Sequence, residues 1–129
     1  MMQVKDVMVK DVVRISQFAK LREALSLMKR HNTKSLVVER QAPHDAWGII
    51  TYTNILKTVI AEDGDIDLLN VYDACAKPAL SVTENLSVRY AATLMVNHRI
   101  KRLLVTRDDE LLGFVTMDDI MEALLKTIE

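Results

Sequence analysis

An internal repeat limits what this chain can fold into more than any other feature of its sequence. Leu21–Val38 and Val88–Val105 align at an offset of 67 residues, and eight of 18 positions are identical, among them Arg22/Arg89, Met28/Met95, His31/His98 and Lys34/Lys101. Farther along, GIITYTNI from Gly48 matches GFVTMDDI from Gly113 at an offset of 65. The two missing residues fall in a polar connection, Glu39–Trp47 in the first copy and Thr106–Leu112 in the second, where a folded unit tolerates a change of length. A chain of 129 residues can therefore hold two small copies of one unit. A unit of about 60 residues is marginal alone, so the copies are expected to support each other.

Each copy carries the same succession of elements. A short leading segment (Val4–Met8, Val71–Cys75) runs into an extended piece (Val12–Ile15, Ala79–Val82). Apolar residues at 21, 24, 25 and 28 recur at 88, 91, 92 and 95, one face at helical spacing. Two strand-like runs follow, Ser35–Glu39 and Trp47–Thr51, matched by Arg102–Thr106 and Leu111–Thr116. A last helix is expected to bury Ile55, Leu56, Val59 and Ile60, and its counterpart Ile120, Met121, Leu124 and Leu125. The expected domains are 1–62 and 71–129, joined by an acidic stretch, 63–70, that reads as a solvated hinge. The expected fold class is α/β, of the α+β kind: two β-α-β-β-α units, each with one sheet face under helices. Packing of the two bare faces predicts pseudo-two-fold symmetry and a cleft, a favoured place for a ligand.

Composition removes several functions. The net charge of −1 and the few aromatic residues argue against nucleic acid, although Lys29-Arg30-His31 and Arg99-Lys101-Arg102 are local basic clusters. One cysteine, Cys75, and three dispersed histidines give no zinc-ligand spacing, so no metal is expected. No apolar run reaches the length of a membrane span, the first residues lack a signal-peptide core, and the single cysteine suits a reducing compartment; cytoplasmic location is the expectation. Three glycines are too few for phosphate-cradling loops, and no nucleophile has a base nearby in sequence, so neither catalytic residues nor a catalytic cofactor is expected.

Val4-Lys5-Asp6-Val7-Met8, Ile100-Lys101-Arg102-Leu103-Leu104-Val105 and Gly113-Phe114-Val115-Thr116-Met117-Asp118-Asp119, met in order and twice, resemble the motifs of a tandem pair of cystathionine-β-synthase (CBS) domains, a Bateman module. The resemblance covers nearly the whole chain. It implies a regulatory module that binds AMP, ADP, ATP or S-adenosylmethionine, pairs as a homodimer and acts on a separate effector protein. It further implies that the Asp of the closing motif holds the ribose hydroxyls, assisted by the Thr three residues earlier. Carried over, one pocket holds Thr116 and Asp119 with Val9–Val13 (Val12 among them) and Thr33-Lys34-Ser35 opposite. The other holds Thr51 and Asn54 with Ala76–Leu80 (Ala79 among them) and Ile100-Lys101-Arg102 opposite. Asn54 departs from the pattern, because an amide lacks the charge and the full acceptor capacity of a carboxylate.

The same residues have plainer readings. Thr-x-x-Asp is nearly a capping box, Lys101 and Arg102 suit the solvated end of a strand, and Met28 and Met95 sit on core stripes. A structural or protein-interaction module with no functional ligand is the alternative function.

Overall fold

The computed structural model describes residues 2–128 and divides the chain into two compact units, one made of residues 1–12 and 80–129, the other of residues 13–79. The spatial units are thus not the sequence repeats 1–62 and 71–129. Each repeat's leading segment packs in the unit built from the rest of the other repeat.

In the unit of residues 13–79, β1 (Arg14–Ile15) pairs parallel with β2 (Ser35–Val38), which pairs antiparallel with β3 (Gly48–Thr51). Helix α2 (Leu21–His31) joins β1 to β2 and buries Leu21, Ala24 and Met28 against Leu36, Val38 and Ile50. Its N-cap, Lys20, makes no side-chain cap. The N–H groups of Leu21 and Arg22 donate instead to the carbonyls of Leu69 (3.0 Å) and Ile66 (3.2 Å). Arg22 also pairs with Asp67 at 2.8 Å. The acidic stretch is therefore docked on a helix N-terminus, where acidic side chains and carbonyls are favoured, instead of hanging free as a hinge. The leading segment of the second repeat, a short 3₁₀ turn at Val71–Asp73, seats Val71 fully buried in the same core.

The unit of residues 1–12 and 80–129 repeats this plan. Strands β4 (Ser81–Val82), β5 (Arg102–Arg107) and β6 (Glu110–Thr116) form the sheet in that order, with β4–β5 parallel and β5–β6 antiparallel. Helix α4 (Val88–His98) buries Ala91 and Met95, and helix α1 (Val4–Val7) places Val4 in the same core. Val9 then bridges Phe114 on β6 through N–H···O contacts of 2.8 and 3.0 Å.

Gly113 is what admits Val9. A Cβ at Gly113 would overlap the Val9 carbonyl oxygen, whereas one at the matching Gly48 would lie 3.1 Å from the carbonyl oxygen of Ala76. The matching helices α2 and α4 both stop at a histidine and cap through a left-handed residue, Asn32 and Arg99.

The closing helices depart from the expected burial. Helix α3 (Tyr52–Ile55) continues as a π-helical segment, Leu56–Ala61, whereas α5 (Met117–Leu125) is regular throughout. Ile55 is buried and Val59 and Ile120 pack against the cores. Leu56, Ile60, Met121, Leu124 and Leu125, expected to be buried, are all exposed. Helical spacing identifies an apolar face but not whether the same chain covers it.

Candidate functional site

The closing motif of each repeat builds a small polar corner at a helix start. At Thr116, β6 ends and α5 begins. The Thr116 hydroxyl accepts from the Asp119 N–H (3.0 Å), while Asp119 Oδ2 accepts from the Thr116 N–H (3.0 Å) and hydroxyl (2.7 Å). This is the capping box that the spacing allows. It occupies one carboxylate oxygen only. Oδ1 has no hydrogen-bond partner among the described residues and sits at the positive end of α5. The capping reading and the ligand reading are thus compatible at Asp119.

Sheet register sets what stands beside this corner. Arg102 pairs with Thr116 across β5 and β6, and the Lys101 carbonyl accepts from the Met117 N–H at 2.9 Å. Arg102 is half-buried, and its Nε is the one buried side-chain polar atom without a hydrogen-bond partner among the described residues. Burial pulls its pKa down, and the charges of Asp118 and Asp119 oppose that effect. A half-buried guanidinium suits an anionic or hydroxylated ligand group through its terminal nitrogens, while Nε itself is shielded from solvent. Lys101 itself is exposed. Val12, half-buried, belongs to the same unit.

On the other side of Asp119, α1 and α5 border a cavity of about 380 Å³. Asp119, Glu122 and Lys126 line it from α5; Asp6, Val7 and Met8 line it from α1 and its end.

The unit of residues 13–79 holds the degenerate version. Thr51 and Asn54 make the same box, with Asn54 Oδ1 accepting from the Thr51 N–H at 2.9 Å and from its hydroxyl at 3.1 Å. Here the only side-chain oxygen is already used. Ser35, buried, pairs with Thr51, and the Lys34 carbonyl accepts from the Tyr52 N–H at 3.1 Å, while the Lys34 side chain is exposed. Ala76 bridges Ile49, and the Ala79 N–H donates to the Trp47 carbonyl at 2.8 Å. Each Thr-x-x-Asp/Asn corner thus adjoins its own repeat's second strand, and the Asp119 corner also borders a cavity lined by the other repeat's leading segment. Arg102 and Ser35 pair directly with Thr116 and Thr51, whereas Ala79 meets Trp47 at the opposite end of β3 from Thr51.

The profile of the CBS domain fits residues 4–61 and 71–126. The chain belongs to the CBS-domain family. As a CBS pair it is 31% identical over 120 residues to the CBS domain-containing protein YhcV of Bacillus subtilis, covering 93% of this chain and 84% of that protein. It is 32% identical to an uncharacterized protein of Methanopyrus kandleri, covering 79% of this chain; it spans about half of that relative, 54% of its length. A hexameric CBS-CP12 protein from bloom-forming cyanobacteria superposes with a TM-score of 0.92 at 32% identity, covering all of this chain and 76% of that one. The CBS domain pair of another protein, solved in complex with 5′-methylthioadenosine and S-adenosyl-L-methionine, shares the fold (TM-score 0.85, 23% identity, 98% of both chains).

At the end of β3 away from Asn54 the CBS pair holds residues that sequence reasoning did not assemble. Two guanidinium groups lie over the Trp47 ring, Arg14 at 5.3 Å and Arg40 at 5.1 Å from its centroid. Lys77 donates to Asp45 (2.7 Å) and to Gln17 (3.4 Å), tying the longer 39–47 connection to the segment that carries Ala76 and Ala79. The only trace in the sequence is the two-residue excess of that connection, which does not reveal its partners. No helix is long and apolar enough to cross a membrane, and no metal-ligating cluster occurs among the described residues.

Proposed function

We propose that this CBS pair is a regulatory sensor of an adenine nucleotide or S-adenosylmethionine, recognised through Asp119 and Thr116, and that it acts on a separate protein. The observation that carries the reading is the unused Asp119 Oδ1 at the start of α5, with the half-buried Arg102 paired across the sheet to Thr116. A ribose diol has two hydroxyls to donate and an oxygen to accept, which suits a carboxylate with one free oxygen next to a guanidinium. The Asn54 corner, whose amide oxygen is already committed, is the weaker of the two. The crystallised CBS pair with adenosyl ligands supports the same ligand class by analogy of fold. Ligand binding acts on a partner only through a difference in affinity between two arrangements of the module.

A thermal-shift series with AMP, ADP, ATP and S-adenosylmethionine tests this. A ligand at about 100 times its Kd stabilises the folded state by about 2.7 kcal/mol. A flat series across all four overturns the reading.

The exposed apolar side chains of α5 favour a second reading, a module whose role is protein contact alone. It predicts partner binding that no nucleotide alters. Under either reading the α5 face is proposed to pair two copies into a homodimer.

A further inference from the structure

The cavity beside Asp119 bears on which adenosyl ligand this corner takes, and the inference rests on the sensor reading above. Its charged lining is unbalanced: Asp6, Asp119 and Glu122 supply three carboxylates against the single ammonium of Lys126. Within the lining the imbalance is only weakly relieved, although Arg102, outside the lining, interacts with Asp119. Glu122 and Lys126 approach only to 4.0 Å, with both side chains mostly exposed, a weak pair. Asp6 Oδ2 accepts from the Gln3 N–H, a capping contact that holds the carboxylate in place. Between the charges lie Val7 and the thioether of Met8, an apolar and polarisable wall. At about 380 Å³ the space falls within the range of small-ligand sites. Arg102 is not part of this lining; it stands at the start of α5, opposed by Asp118 as well as Asp119.

The two repeats diverge here in a telling way. At the repeat offsets, Asp119, Glu122 and Lys126 correspond to Asn54, Lys57 and Ala61, and Asp6 corresponds to Asp73. Asp73 keeps the capping role of Asp6, accepting from the Asn70 N–H at 2.8 Å. The first pattern thus has one carboxylate against one ammonium, while the Asp119 pattern has an excess of two carboxylates. The charge is a property of this one corner, not of the fold.

We propose that the α1–α5 cavity makes the Asp119 corner selective for an adenosyl ligand with a cationic 5′ substituent, a sulfonium of the S-adenosylmethionine class, over AMP, ADP or ATP. A polyphosphate directed into this cavity meets like charge, while a sulfonium with its ammonium meets carboxylates and a thioether. The preference is electrostatic and partly exposed, so it weakens with added salt.

The test is calorimetric titration of the full chain with S-adenosylmethionine, S-adenosylhomocysteine and AMP, repeated on Glu122→Lys and Glu122→Gln. Glu122 is exposed and its one ion pair is weak, so both variants are expected to fold, which circular dichroism checks. The expected result is binding of S-adenosylmethionine at least about tenfold tighter than its uncharged-sulfur analogue and than AMP, equal to about 1.4 kcal/mol. Glu122→Lys is expected to close that gap, with Glu122→Gln intermediate. AMP binding as tightly as S-adenosylmethionine, or a ratio unmoved by Glu122→Lys, overturns the selectivity while leaving the sensor reading intact. Failure of all three ligands to bind overturns both.

Discussion

Gly113 and Val9 approach so closely that no side chain fits at position 113: a Cβ there would overlap the Val9 carbonyl oxygen and lie 3.1 Å from its carbon. The first residue of the G-x-x-T-x-x-D motif is therefore required by packing. It admits the leading segment of the opposite repeat to the edge of β6, three residues before Thr116. Gly113→Ala is expected to cost about 3 kcal/mol in denaturant unfolding, the upper part of the usual range for one substitution. Gly48→Ala, whose Cβ would have 3.1 Å to the Ala76 oxygen, is expected to cost about 1 kcal/mol. Equal costs would contradict this account of the bridge.

The Lys77–Asp45 contact predicts a signature in acid. The Lys77 ammonium, helped by the N–H groups of Gln41 and Ala46, holds the Asp45 carboxyl at about 2, below its ordinary 3.8. A depressed carboxylate pKa stabilises the folded state above the ordinary value, and that stabilisation is lost as pH falls from 3.8 toward about 2. Asp45→Asn should therefore lower stability at neutral pH and flatten that part of the acid transition. A melting-temperature profile from pH 6 downward, compared between the two proteins, reads both effects; coincident slopes would contradict the assignment.

Arg99 ends α4 in the left-handed region with φ 55°, where the matching residue of α2 is Asn32 with φ 49°. Asparagine tolerates that conformation and glycine adopts it freely, whereas arginine is strained there. Arg99→Gly is expected to stabilise the protein by about 0.5–1 kcal/mol in urea unfolding. Destabilisation would mean that the Arg99 side chain contributes more than its backbone costs.

The exposed face of α5 predicts association. Met121, Leu124 and Leu125 on the helix, and Ile128 just beyond its end, are 47%, 53%, 60% and 67% exposed. Light scattering at micromolar concentration is expected to give twice the 14.7 kDa chain mass, and Leu124→Glu to return it to the single-chain mass. A single-chain mass for the unaltered protein would contradict a homodimer.

The repeat made much of this legible. Its offsets place both helices that end at His31 and His98, both pairs of long strands, and the Thr116–Asp119 and Thr51–Asn54 corners, because each of these is set by local spacing. The exchange of leading segments was not legible. Val4 and Val71 are equally apolar and equivalent by repeat, and nothing local says which core each fills. The acidic stretch looked solvated because Asp65 and Asp67 are charged, yet the carbonyls of Ile66 and Leu69 cap α2 through main-chain atoms that carry no sequence signal. The stacking of Arg14 and Arg40 on Trp47 likewise joins residues from separate elements, beyond the reach of periodicity.

The account turns on Asp119, so the most direct measurement is calorimetric titration of AMP, ADP, ATP and S-adenosylmethionine into the protein and into Asp119→Ala. Because Asp119 also caps α5, Asp119→Asn serves beside it: an amide oxygen can keep the contacts to Thr116, as Asn54 does to Thr51, while the charge and the free carboxylate oxygen are lost. The expected result is saturable binding of at least one of the four, weakened at least about tenfold, or about 1.4 kcal/mol, in both variants. Binding of undiminished affinity in Asp119→Asn, or no binding by any of the four to the unaltered protein, would contradict the central claim.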